Sequence, residues 1–206
     1  MAGAARVVLE PDGDHDGERF EDVDLSGLNG WGSSFLDCVL ERCTLDGTEL
    51  GRARFVDSVL REVRGVGTDL AEAVLRDAEV VDARLGGAQL HGARMDRVRF
   101  TGGKIDYLNL RKATLKDVVF EGCVLIEPDF GEARLENVVF RDCVLRGADF
   151  ARARLKDVDL RETAELEVTR GVDGLAGALI SPAQLLDLAP ALAAQLGIRV
   201  GAGPGE

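Results

Sequence analysis

The 206-residue chain is poor in aromatic residues: eight Phe, one Trp and one Tyr amount to 5% of it. A conventional core takes much of its buried area from large rings, so such a core is not expected. Histidine is nearly absent. His15 lies in an acidic stretch and His91 on a polar one, and neither has a partner visible in the sequence. No nucleophile motif, phosphate-binding loop or metal-ligand cluster occurs, so no catalytic or metal residue is assigned, no cofactor is expected, and an enzyme is not expected. No run approaches the roughly 18 uncharged apolar residues of a membrane span. The opening MAGAARVVLEPDGD lacks the apolar run and cleavage site of a secretory signal. A cytoplasmic location is therefore expected, with Cys38, Cys43, Cys123 and Cys143 reduced. Cations are in the minority, 25 Lys+Arg against 37 Asp+Glu, for a net charge of −12. That balance argues against direct nucleic-acid binding, which needs cations to displace counterions. It suits a partner surface that ordinarily holds a polyanion.

What the chain does have is hydrophobic content of 46%, which argues against disorder, set out with a period of five. In VVFRDCVLRGADFARARLKDVDL, residues 138–160, every fifth residue is large and apolar: Phe140, Leu145, Phe150, Leu155 and Leu160. Helices repeat at about 3.6 residues and strands at about 2, so neither explains the pattern. From Phe20 to Leu160 these positions fall on multiples of five, and 27 of the 29 hold Leu, Phe, Ile, Val or Met; Gly30 and Gly65 are the exceptions. Two residues before each stands a small or β-branched residue at nearly every site, with Glu18, Leu28, Leu108 and Pro128 departing. The frame never slips, so no insertion interrupts the array.

On these residues the chain resembles the pentapeptide repeat family, whose motif is A(D/N)LXX. GADF at 147–150, GTDL at 67–70 and DVDL at 157–160 are close matches, and the resemblance covers residues 18–162. It implies an all-β solenoid, a right-handed quadrilateral β-helix with one pentapeptide per side and four per coil. In that geometry each apolar centre and the small residue two before it point inward. Residues 20 apart then stack, so Phe100, Phe120 and Phe140 form one core column and Phe130 and Phe150 another. The array makes about seven coils. Cys123 and Cys143, also 20 apart, are read as stacked core thiols. Gly30 and Gly65 leave holes in the core; Leu28 or Trp31 would fill the first and Val63 and Val66 the second, and a local bulge at either pentad is an alternative.

Both ends depart from the repeat. Residues 1–17 form an N-terminal segment in which RVVLE (6–10) reads as a strand covering the first coil. DGDHDG (12–17) opens like a calcium loop, with Asp12, Asp14, Asp16 and Gly17. Its twelfth position is Val23 instead of Glu and no helix precedes it, so a solvated acidic turn is expected. Residues 163–180 are a transition, 181–200 a helix and 201–206 a tail. Ser181 is the N-cap, Pro182 the first helical residue, and Gln184 closes a capping box. Ile180 and Leu185 fit a hydrophobic staple, and Gly197 suits the C-terminal left-handed position. Pro190 is expected to kink or split the helix. Leu185, Leu188, Leu192 and Leu196 line one face, which must be buried by capping the last coil, by a homodimer, or by both. The resemblance implies the dimer, since gyrase-binding members pair through C-terminal helices.

With the inside committed to packing, function is expected on the outside. The side centred on residues 20, 40 and 60 carries ten acids and six bases, including Glu41, Glu62, Glu79, Asp82, Glu121, Asp142 and Asp159 as the candidate partner-binding acidic side. On the side centred on 35, 55 and 75, Asp37, Asp57, Asp77, Asp117 and Asp157 lie beside Arg54, Arg94, Arg134 and Arg154, as in a solvated ion-pair ladder. The expected function is a non-enzymatic protein-interaction module, a rigid acidic rod. The resemblance implies an alternative: a DNA mimic that binds DNA gyrase or topoisomerase IV, as do loop-free members that confer quinolone resistance. Residues 18–162 carry 28 acids and 22 bases, so such a mimic would be dilute.

Overall fold

In the computed structural model, which describes residues 9–201, the chain winds into a β-solenoid of about eight turns of parallel strands closed by one helix. Each pentapeptide makes one side, its extended part only three residues long, as in Ser34–Leu36 and Val39–Glu41. Pairing places Arg19 under Val39, Val39 under Val59 and Val59 under Glu79, a rise of one coil per 20 residues. Coils are joined by backbone hydrogen bonds such as Val39 N–H to Glu18 C=O, 2.9 Å. The sides centred on Phe35 and on Phe20 merge into one fourteen-stranded sheet, because strands Thr114–Glu121, Arg134–Arg141 and Arg154–Glu162 run through their shared corner. The side centred on Leu25 forms a six-stranded sheet, and the side centred on Gly30 is linked by single bridges from Asn29↔Glu49 to Asp129↔Asp149.

The corners explain the polar letters. The chain turns through a residue with φ near +50 to +60°, and 20 non-glycine residues among those described adopt it. Left-handed backbone is disfavoured for most L-residues, and Asp and Asn tolerate it best. Nine of those corner residues are Asp and one is Asn137. Their amides bond the neighbouring coil, as Asp37 N–H does to Val56 C=O at 3.0 Å.

The core is a set of ladders. Phe100, Phe120 and Phe140 stack with ring centroids 4.7 and 4.8 Å apart, and Phe130 lies over Phe150 at 4.9 Å. These separations match the inter-strand spacing of about 4.8 Å, so each ring meets its copy on the next coil. Buried hydroxyls at the small inward sites donate to carbonyls of the preceding coil: Ser58 to Phe35, Thr48 to Leu25 and Thr68 to Leu45, at 2.8 to 3.1 Å. All four cysteines are buried and free. Desolvation pushes the Cys38 and Cys43 thiols up, and the hydrogen bond to Cys143 followed by burial does the same for Cys123.

Neither exceptional glycine produces a bulge. Arg64, Gly65 and Val66 pair in register with Arg84, Leu85 and Gly86. Leu45 backbone and the Thr68 hydroxyl occupy the space a side chain on Gly65 would need, at 2.7 to 2.8 Å. Val63 is inward in its ordinary small-residue place, and Val66 points out, 70% exposed. At Gly30 the space is taken by Leu50 and by Leu9 from the N-terminal segment, while Trp31 lies outside against Gly51. On the outer surface beside Gly65, Val66, Leu85 and Gly86 are among the residues that line a hollow.

Stacking continues past residues 18–162 at both ends. Asp14–Asp16 pairs in register with Ser34–Leu36, so the DGDHDG stretch is part of a coil, with Asp12, Asp14 and Asp16 exposed to solvent. His15 takes the inward centre position: its ring stacks on Phe35 at 4.8 Å, and Nδ1 lies 3.2 Å from Glu18 Oε2. Of the strand expected at 6–10, residues 6–8 lie outside the described residues, and Leu9 is buried. After Leu160 a one-residue irregularity pairs Arg141 with Glu162 and Leu145 with Leu166. The centre position thus passes from Glu165 to Leu166. Ala178–Leu179 then pairs with Val158–Asp159 in the original spacing.

The helix, α1 (Pro182–Gln195), begins with the full capping box: Gln184 N–H donates to Ser181 Oγ at 3.2 Å and Ser181 N–H to Gln184 Oε1 at 2.8 Å. It ends in a Schellman pair, Ile198 N–H to Ala193 C=O and Gly197 N–H to Ala194 C=O, with Gly197 at φ 72°. Pro190 does not split it; α1 is one continuous element. Gln184 also joins helix to solenoid. Its Nε2 donates to Leu160 C=O and Thr163 Oγ1, both at 2.7 Å, which satisfies a carbonyl on the last coil.

Candidate interaction surface

Three of every five side chains point out, flanking the inward centre and turning the corner. On the side centred on Phe20 the sequence-selected acids fall into three columns. Glu79 and Asp159 precede the centre, Glu41 and Glu121 follow it, and Glu62, Asp82 and Asp142 occupy left-handed corners. The columns are interrupted by arginines that neutralise several members. Arg42 bridges Glu21, Asp22 and Glu41 at 2.6 to 2.9 Å, and Arg19 adds a second contact to Glu41 at 3.1 Å. Arg99 holds Glu121 at 2.9 Å and Arg161 holds Asp159 at 2.8 Å. Glu62, Glu79, Asp82 and Asp142 have no cation within 4.0 Å among the described residues. The side is thus a mosaic in which four of the seven selected acids stay open.

Most ion pairs run along the rod, between residues about 20 apart. Arg42 pairs with Asp22, Arg97 with Asp77, Arg52 with Glu72, Arg152 with Glu132 and Lys156 with Glu136. Hydrogen bonds from Arg42 and Arg97 hold the Asp22 and Asp77 carboxyls below the usual carboxylate range, and Lys156 does the same for Glu136. These exposed pairs hold the carboxylates charged as pH falls and add little to stability individually.

The ladder expected on the side centred on Phe35 is different in detail. Asp77 is taken by Arg97, and Asp117 accepts from the Asn137 amide. Arg54, Arg94, Arg134 and Arg154 pair with none of the aspartates beside them: among the described residues they have no carboxylate within 4.0 Å. They precede the centre, whereas the aspartates lie three positions on, at the far corner. Side tallies in the sequence counted both columns together and hid their separation.

Charge is also unequal along the rod. Residues 9–50 hold 12 acids and two bases, and residues 51–201 hold 24 acids and 22 bases. The N-terminal coils are therefore the negative pole. A running count along the sequence contains this signal; a count by side averages it away. At the opposite end, α1 docks Gln184 and Leu188 onto the last coil and half-buries Leu192, leaving Leu185 and Leu196 exposed. Leu186, Ile198 and Val200 add to this exposed apolar end. No described helix is long and apolar enough to cross a membrane.

The chain is similar to known proteins in fold and in family profile. No curated protein matches the chain by sequence. A trypsin-treated variant of QnrB1, a plasmid-mediated fluoroquinolone resistance protein, is similar in fold, with a TM-score of 0.51 and 18% identity over 95% of this chain and all of that one. HetL, a pentapeptide repeat protein involved in heterocyst differentiation regulation in the cyanobacterium Nostoc sp. strain PCC 7120, is 20% identical over 82% of this chain and 90% of its own, with a TM-score of 0.33. The pentapeptide repeat region profile matches residues 33–110 and 113–167. With the five-residue period, the stacked four-sided coils and this match in hand, the chain belongs to the pentapeptide repeat family.

Proposed function

We propose that this protein is a non-enzymatic protein-interaction module, a rigid rod that presents patterned charge to a protein partner. One observation carries the reading: the interior is filled by its own ladders from Phe20 to Leu160, so the outward side chains alone are left to make contacts, and their charge is unevenly distributed. A photo-crosslinking residue in place of the exposed, unpaired Glu79 tests it. Discrete protein adducts competed away by unlabelled chain are expected. Adducts that competitor leaves unchanged, at Glu79 and at a second outward site such as Glu62, would overturn the reading.

A second reading is a DNA mimic directed at a type II topoisomerase, DNA gyrase or topoisomerase IV, protecting it from quinolones. It is favoured by the open acids Glu62, Glu79, Asp82 and Asp142, which share one side of the rod. The likeness to QnrB1 contributes the fold alone. Gyrase supercoiling measured with rising protein, with and without a quinolone, decides it. Inhibition or protection at micromolar protein is expected of a mimic; neither effect removes the topoisomerase and leaves the module.

The exposed apolar end supports a homodimer through α1. Leu186 and Leu196 are 75% and 76% exposed while Leu188 is buried against the coil. Sedimentation of the full chain should give a dimer. Leu186→Glu with Leu196→Glu should give a monomer that keeps its thermal transition, because docking through Gln184 and Leu188 is untouched. A dimer that survives both changes would place the interface elsewhere.

A further inference from the structure

Charges counted by corner instead of by side isolate one basic edge on this acidic rod. The corner between the sides centred on Gly30 and Phe35 carries, from Arg52 to Arg154, eight cations and two acids, Glu72 and Glu132. Three of the cations, Arg52, Arg111 and Arg152, are held by Glu72, Glu132 and Asp129 at 2.9 to 3.2 Å. The other five, Arg54, Arg94, Lys112, Arg134 and Arg154, are exposed and have no carboxylate within 4.0 Å among the described residues.

Four of the five stand in one straight column. Strand pairing stacks Arg54, Val74, Arg94, Thr114, Arg134 and Arg154 in order. Five coil steps of about 4.8 Å make the column roughly 24 Å long. Like charges on directly opposed strand positions are unfavourable, and Arg134 and Arg154 are directly opposed. The same side holds a contrasting column two residues away, where Arg76, Asp96, Lys116, Glu136 and Lys156 alternate in sign. In that column Lys156 pairs with Glu136 on the neighbouring coil at 2.7 Å; the Arg54–Arg154 column has no such partner among the described residues.

We propose that this edge is the docking line for an extended acidic segment of a partner protein, a proposal that rests on the reading of the rod as a protein-interaction module. Width selects the ligand. The two flanking corners are acidic, with seven acids and one base between Asp46 and Asp149, and nine acids and five bases between Asp37 and Asp159. Each side is three extended residues across, about 10 Å, close to a Debye length of about 8 Å. A nucleic-acid duplex is wider than the strip and would press its phosphates against those carboxylates. An extended polypeptide is one strand wide, and about seven residues at roughly 3.3 Å each span the column. Its Asp and Glu side chains would meet guanidinium forks, which bind carboxylates in two-point geometry.

The test is a titration of fluorescein-labelled deca-glutamate with the full chain, read by anisotropy at low salt. Saturable binding is expected. The triple change Arg94→Gln, Arg134→Gln and Arg154→Gln should weaken it about tenfold, the order expected for three exposed charge pairs. The same positions changed to Lys should retain most of the affinity. Arg64→Gln, Arg84→Gln and Lys104→Gln, which remove equal charge from the side centred on Leu25, should leave it within about twofold. Circular dichroism checks that each variant is folded, and the single change Arg134→Gln, with a smaller loss, replaces the triple if the triple is not. Absence of binding by the unaltered chain, equal loss from both glutamine triples, or tighter binding of a labelled DNA duplex of equal charge would each overturn the proposal. Failure here with competed crosslinks at Glu79 intact removes the edge alone; failure of both removes the interaction reading as well.

Discussion

Phe120→Ala is expected to cost about 3–5 kcal/mol, the range for removing a fully buried ring. Phe120 is sandwiched between Phe100 and Phe140 at 4.7 and 4.8 Å and has no exposed surface. A rod of stacked coils leaves little freedom for the walls to close on the void, because each wall is hydrogen-bonded to coils above and below. In a repeat protein this loss falls on the two interfaces that the coil makes with its neighbours. Urea denaturation with amide exchange should therefore show both a lower midpoint and faster exchange near residues 100–140. Phe20→Ala is the control. Phe20 sits near the N-terminal end of the rod beside His15 and Phe35, where relaxation is easier, and its cost should be smaller. A Phe120→Ala cost under about 1 kcal/mol would mean that the ring stacks do not hold the core together.

Gly103→Ala should be the other severe change, and its neighbour makes the argument sharp. Both Gly102 and Gly103 have positive φ, at 64° and 77°. Gly102 is a corner residue, and its column holds Asp22, Arg42, Glu62, Asp82 and Asp142 on other coils. The only obstruction to a side chain there is the mobile carboxylate of Asp82. Gly103 occupies the small inward site, where no other described residue has positive φ. A methyl group on it would run into the Ala83 carbonyl oxygen and lie 2.7 Å from the Ala83 nitrogen, both backbone atoms that cannot swing away. Gly102→Ala should cost about 1–2 kcal/mol from backbone preference. Gly103→Ala should cost about 3 kcal/mol or more, since strain and a backbone collision add. Thermal melts of the pair read the difference directly. Equal melting temperatures would show that the coil opens at this point to admit the methyl.

The repeat was legible because one inward residue type recurs at one spacing, which nothing but a stacked coil requires. The ends were less legible for two physical reasons. His15 obeys the frame of five but is not an apolar letter, so its stacking on Phe35 was invisible to a hydrophobic pattern. After Leu160 a single extra residue moved the frame, and Leu166 pairs above Leu145 in place of Glu165. A missing inward side chain suggests a bulge, whereas at Gly65 the Leu45 backbone and the Thr68 hydroxyl take up the space and the strand keeps its pairing. Surface function was the least legible. Outward letters follow no packing rule, and the separation of the Arg54–Arg154 column from its aspartates depends on where the corner falls between them. The helix was easy to place from Ser181, Pro182 and Gln184. The bond from Gln184 to Leu160 joins residues 24 apart and has no sequence signature.

The one-coil repeat of 20 residues also makes the surface behave like text set in a reading frame. An insertion of five residues within the array would preserve the inward frame and the pattern of coil-to-coil bonding, with new partners for the coil that receives it, yet turn all downstream faces by a quarter of a circle. The fold would survive and the basic edge would break into two pieces on different sides. An insertion of 20 would lengthen the edge by one step and leave it straight. Growth by whole coils is thus the route open to this architecture for changing length without scrambling what it displays, and the unbroken count from Phe20 to Leu160 is what a surface kept in frame would leave behind.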